Sequence, residues 1–167
     1  MNNLTADQQA MLAIWQQHTY AEFVLKDADA ALATMTENPY LLMIATGTAC
    51  TGRAAVREYY ADHFMPAIPP DLELTSLSQT IASDRFVEEM VVRFTHTIEM
   101  DWLLPTLRPS GRRAEFIIAA VIGFEDGKVA HEHIYWDQAT LLSQMGVLDH
   151  PLAAAGAGSV RQLSRLR

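Results

Sequence analysis

Two periods divide the chain. Up to about residue 70 the apolar positions recur at helical spacing, and beyond it they alternate. From Leu4 to Leu25, Met11, Leu12, Ile14, Trp15, Phe23 and Val24 mark one face of an amphipathic helix. Thr5 is its expected N-cap, with Gln8 as capping-box partner. Asp27 to Met35 is Ala-rich and reads as a second short helix; Asn38-Pro39 interrupts it, and Tyr40 to Ala45 follows as a short strand. Thr51-Gly52 opens a third helix, Arg53 to Phe64, which the Pro-rich stretch at residues 66–70 closes.

From Asp71 onward, Leu72 to Ile81, Phe86 to Met100, Arg112 to Glu125 and Lys128 to Trp136 read as four strands, with tight links at Ser83-Asp84-Arg85 and Asp126-Gly127. This order predicts an α+β fold in which helices close one face of a curved antiparallel sheet. The apolar loop at residues 101–111 is either a lid or packing over the open end of the sheet. A final helix runs from Gln138 to Met145, with Asp137 before it. Residues 1–149 then form one domain, and residues 150–167 a small-residue-rich, Arg-ended tail that is either a terminal helix packed on a partner subunit or a mobile, solvated end.

Composition narrows the function. A chain of 167 residues, half of them apolar, can fill one core. Its net charge of -8, with 12 scattered Lys and Arg, excludes the basic stripe that nucleic acid requires. No apolar run is long enough to span a membrane. The single cysteine, Cys50, forms no internal disulfide, and the first residues lack a signal-peptide pattern, so a cytoplasmic location is expected.

Candidate chemistry concentrates in two strands. Along Met90 to Trp102, one row reads Met90, Val92, Phe94, His96, Ile98, Met100, Trp102 and must face inward, because the other row carries Arg93, Glu99 and Asp101. His96 is the polar member of that row: either a base of lowered pKa or a hydrogen-bonded core histidine. In the last strand His131, His133, Tyr135 and Asp137 share one face and Glu132, Ile134 and Trp136 the other, and alternation alone leaves open which lines a cavity. Asp137 is either an acid/base group or the N-cap of the final helix. His131-x-His133 suggests a metal, but no further ligands are spaced to complete a site, so none is expected. Glu88 and Glu89 read as charges that are solvated or paired with Arg93. Trp15, Tyr20, Tyr59 and Tyr60 are candidate cavity walls, joined by Phe94, Trp102, Tyr135 and Trp136 as candidate ligand contacts.

The segments GRAAVREYYADHF, EEMVVRFTHTIEMDWLLP and GKVAHEHIYWDQATLLSQMG resemble the SnoaL-like branch of the nuclear transport factor 2-like superfamily, within it a bacterial group also found attached to dienelactone-hydrolase-type proteins. The resemblance implies a cone-shaped, cystatin-like α+β barrel, a curved sheet wrapped around N-terminal helices, a homodimer formed through the outer sheet face, and chemistry without cofactors. In the polyketide cyclases an Asp near the end of the last strand is the acid/base, which implies Asp137 here, with His96 and His133 as further catalytic candidates. Ile134 stands where the superfamily's epoxide hydrolases carry an Asp, which disfavours that activity. The expected ligand is a small apolar or aromatic carbonyl compound. The expected reaction is proton transfer beside the carbonyl; the rival is a non-catalytic binding or dimerisation module that partners a hydrolase.

Overall fold

The computed structural model describes residues 4–148 and 158–165. Its elements are α1 (Ala6–Tyr20), α2 (Ala28–Ala33), β1 (Met35–Met43), β2 (Thr48–Thr51), α3 (Arg53–Glu58), β3 (Glu73–Ile81), β4 (Arg85–Thr95), β5 (Arg113–Glu125), β6 (Lys128–Trp136), α4 (Gln138–Gln144) and α5 (Gly158–Arg165). Thr5 and Gln8 form the capping box that starts α1. Two helices run on as wider π-helical turns, α1 into Ala21–Leu25 and α3 into Tyr59–Phe64. Such turns are uncommon and recur at functional sites, because the extra residue per turn re-aims side chains.

The sheet has six strands in the order β2-β1-β6-β5-β4-β3. The links from β3 to β6 are hairpins, and the turn between β5 and β6 places Asp126 and Gly127 at φ 50 and 72, as a twisted two-residue turn demands. The expectation of a wholly antiparallel sheet fails at one pair: β1 lies parallel to β6. No hairpin joins those two strands, so nothing forces them to run in opposite directions. β1 also begins at Met35 rather than Tyr40, and Asn38-Pro39 is not a break but an irregularity in the ladder between Met35 and Tyr40, where proline can donate no bond. The short β2 carries too little pattern to be read from sequence.

β4 ends at Thr95, not Met100. His96 still exchanges backbone bonds with the next strand's approach, its N–H to Arg112 O at 2.9 Å and its O from Gly111 N–H at 2.9 Å. The chain then folds inward, and Met100, Leu103 and Leu104 are buried, so the loop packs against the core. That core lies between the inner sheet face, with Phe86, Phe94, Phe116 and Ile122, and the helices, with Trp15 and Tyr60. On the outer face, Val160 of α5 packs on Leu77 and Val91, with Ile117 and Leu163 beside them. Part of the expected tail is therefore a docked helix; residues 150–157 and 166–167 lie outside the described residues. No described helix is long and apolar enough to cross a membrane.

Candidate functional site

β6 decides the position of the site through one extra residue. Gly123 of β5 pairs with His131, but the next residue, Phe124, pairs with Val129, so Ala130 is a bulge that resets the alternation. Glu132 and Ile134 consequently face inward, while His131, His133 and Tyr135 face out. The inward row lines a cavity of about 470 Å³ enclosed by α1, the two π turns and the inner faces of β1, β3, β4, β5 and β6. Its walls are mainly aromatic and aliphatic, as a small-molecule site requires.

A buried polar cluster opens into this apolar space. His18 and Glu22 lie one helical turn apart at the α1 end, with Glu132 facing them from β6; their exposures are 0%, 4% and 4%. His18 Nε2 is 3.0 Å from Glu132 Oε1 and 3.4 Å from Glu22 Oε1. Tyr60 O–H donates to Glu132 Oε1 at 2.8 Å, and His18 Nε2 lies 3.1 Å from the same hydroxyl oxygen. On its other side, His18 Nδ1 is 2.6 Å from Thr34 Oγ1, whose own proton goes to Ala31 O. With that hydroxyl proton spent, Nδ1–H must be the donor, and the ring orientation is fixed. The indole of Trp15 stacks on the imidazole at 5.4 Å.

Burial alone would lower the His18 pKa, but the charges of Glu22 and Glu132, and the hydrogen bonds to them, outweigh it and raise the value to about 10. His18 is thus an imidazolium at neutral pH. Burial pushes the Glu22 carboxyl up, against the pull of His18. Burial also raises the phenols Tyr59 and Tyr60, with the neighbouring glutamates adding to it, so both keep their protons. The result is a proton-rich cluster with a carboxyl on each side. The ligand atoms of His18, Glu22 and Glu132 lie within 4.8 Å of one another, a spacing that could hold a cation. A metal there would have to displace the proton that the two carboxyls keep on His18.

The expected site residues divide sharply. Trp15, Tyr20, Tyr60 and Trp102 line the cavity. Phe94 does not; it sits deeper, edge-on to Phe116 at 6.2 Å. Trp136 lies past the cavity and donates its indole N–H to Gln138 Oε1 at 2.6 Å. Tyr135 is exposed on the outer face. His133 is also outside: its Nε2 is 3.2 Å from Tyr40 Oη, and its ring stacks on His131, so the two imidazoles do not converge on a metal position. His96 does face inward and is fully buried, but it lies at the strand end away from the cavity lining. Its Nδ1 accepts Ser110 N–H at 3.3 Å, and its Nε2 has no partner among the described residues. Desolvation lowers its pKa. Asp137 caps α4, accepting Thr140 N–H at 3.1 Å and Thr140 Oγ1–H at 2.6 Å, bonds that lower its pKa. The three candidate catalytic groups therefore sit apart from each other and from the cavity.

His18 and Glu22 gave no signal except their i, i+4 spacing, which does not tell a solvated pair from a buried one. Glu88, read as a solvated or Arg93-paired charge, lines the cavity instead.

The whole-chain comparisons agree with this architecture. The model of the SnoaL-like polyketide cyclases matches residues 9–145. Among solved structures, a protein described as a SnoaL-like polyketide cyclase from Jannaschia sp. CCS1 aligns with a TM-score of 0.72 at 15% identity, covering 90% of this chain and 100% of that one. TsrD from Streptomyces laurentii aligns at 0.66 and 19% identity, covering 87% and 100%. A protein of ketosteroid isomerase-like fold from Catenulispora acidiphila, solved in complex with trimethylamine, aligns at 0.62 and 15% identity, covering 83% and 97%. No curated protein matches the chain in sequence. With a curved six-stranded sheet closed by helices and a family match over most of its length, the chain belongs to the SnoaL-like polyketide cyclase family.

Proposed function

We propose that this protein, as a homodimer, binds a small aromatic or otherwise apolar ketone and moves a proton between the carbon beside the carbonyl and the carbonyl oxygen, in an isomerisation, cyclisation or hydration. The observation that carries this reading is the pair of carboxyls, Glu22 and Glu132, that opens from a buried imidazolium into an apolar cavity. Two carboxyls in unlike surroundings can divide the roles of acid and base. Glu22, whose carboxyl pKa burial pushes up, is placed to donate to the carbonyl oxygen as the enolate forms. Glu132 receives its described bonds at Oε1, from Tyr60 and His18, which leaves Oε2 to take the carbon-bound proton. His18 is a positioning residue: it lies behind both carboxyls and presents its positive charge to them.

The non-catalytic rival requires a cavity that no carboxyl or unpaired imidazole reaches. Glu22 and Glu132 in the lining favour the acid–base reading. Outer-face aromatics Tyr40 and Tyr135, each more than a third exposed, support the dimer. The test is exchange of the acetyl protons of para-ethylacetophenone in deuterated water, followed by proton NMR. Wild-type protein should accelerate exchange, and Glu132→Gln should lower the rate by about 100-fold or more, the ordinary worth of a general base. Equal exchange by the two proteins would remove Glu132 as the base.

A further inference from the structure

We propose that the cavity is built for a cationic ligand, a ketone that also carries a protonated amine, and that Glu88 is the group that holds the ammonium. The inference rests on the acid–base reading for the ketone and adds the charge of the rest of the molecule. Among the described residues, the lining carries three carboxyl groups, Glu22, Glu88 and Glu132, and no lysine, arginine or histidine. The nearby cation, His18, is sealed behind Glu22 and Glu132, so a ligand meets carboxyl groups set in apolar walls and, among the described residues, no basic side chain.

Glu22 and Glu132 are engaged with His18 and Tyr60. Glu88 is not. It stands on the inner face of β4, where its Oε2 accepts Trp15 Nε1–H at 3.3 Å and its Oε1 accepts Gln79 Nε2–H at 2.8 Å. Both donors are neutral, and among the described residues no basic side chain lies within ion-pair distance. The carboxylate is thus fixed in direction while its charge is left uncompensated beside an apolar wall, where a charge is felt more strongly than in water. It repels a ligand carboxylate and attracts an ammonium. Trp15 and Trp102 line the same space, and aromatic rings favour cations as well.

A second, independent feature marks a ligand with polar groups at more than one point. Tyr59 lines the cavity at 4% exposure, and its hydroxyl has no hydrogen-bond partner among the described residues. Buried polar atoms are nearly always satisfied, so this hydroxyl is suited to a heteroatom of the ligand. A purely hydrocarbon ketone would leave it unpaired.

The experiment compares three para-substituted acetophenones that differ in charge: the aminomethyl compound, the neutral ethyl compound and the carboxymethyl compound. Binding is read from the fluorescence of Trp15 and Trp102, and acetyl-proton exchange by NMR. Wild-type protein should bind the amine at least about tenfold more tightly than the neutral ketone, and the carboxylate more weakly than either, the size of one modest ion-pair contribution. In Glu88→Gln the ratio of amine to neutral affinity should fall towards one. The proposal is overturned if wild-type protein binds the carboxylate as well as the amine, a result that does not depend on the variant folding. It is also overturned if the ratio persists in Glu88→Gln. The two readings separate cleanly: the order of affinities reports ligand charge, whereas absence of exchange with every ketone counts against the proton-transfer reading alone.

Discussion

His18 is held by contacts that all favour its cation. Thr34 fixes one ring nitrogen, Trp15 covers a face, and Glu22, Glu132 and Tyr60 meet the other nitrogen. Because its pKa in the fold is raised to about 10 from 6.5, the folded protein holds this proton where the unfolded chain has lost it. The stabilisation is therefore complete below pH about 6.5 and is lost as pH rises towards 10. Unfolding by urea at a series of pH values should show stability falling across that alkaline window, and His18→Gln should flatten the slope. An unchanged slope in the variant would mean that His18 is neutral in the fold. His131 behaves oppositely: burial, with the charge of His133 second, lowers its pKa. Such differences were beyond the sequence. A helix carrying His18 and Glu22 looks the same whether they face water or a partner strand, and the residue that buries them, Glu132, comes from the far end of the chain.

At the scale of elements, much of the frame was legible because local chemistry decides it. The capping box of α1, the Asp126-Gly127 turn and the inward row Met90, Val92, Phe94, His96 all stand where the pattern puts them. The last strand was ambiguous for a physical reason: the Ala130 bulge resets its alternation, and a bulge has no reliable signature in residue type. That bulge region depends on Gly123. A Cβ at this position would enter the His131 ring, which cannot swing aside easily because it is stacked between Tyr40, at 4.9 Å, and His133, at 4.7 Å. Gly123→Ala should cost about 1–3 kcal/mol, the usual range for forcing extra atoms into a packed place. Adding His131→Ala should recover most of the loss, a coupling that a double-mutant cycle by urea unfolding measures directly. Additive losses would place the cause in the backbone instead.

At the scale of the whole molecule, the outer sheet face raises the question of what covers it. The family resemblance implied a dimer through this face, yet α5 of the same chain already packs near Ile117, with Val160 seated on Leu77 and Val91. What remains open lies towards β1 and β6, where Tyr40, His131 and His133 form a stacked aromatic group and Tyr135 stands beside them. These side chains are flat, amphipathic and already ordered by one another, so a partner that covers them loses little side-chain freedom on binding. We therefore expect the dimer to form over this half of the face, with α5 flanking the interface. Light scattering across a dilution series should give twice the chain mass at micromolar concentration. Tyr135→Glu should shift the protein to monomer while leaving ketone binding in place, because Tyr135 lies on the opposite side of β6 from Glu132 and Ile134. A wild-type monomer at those concentrations would overturn the dimer, and a Tyr135→Glu protein that stays dimeric would move the interface to another surface.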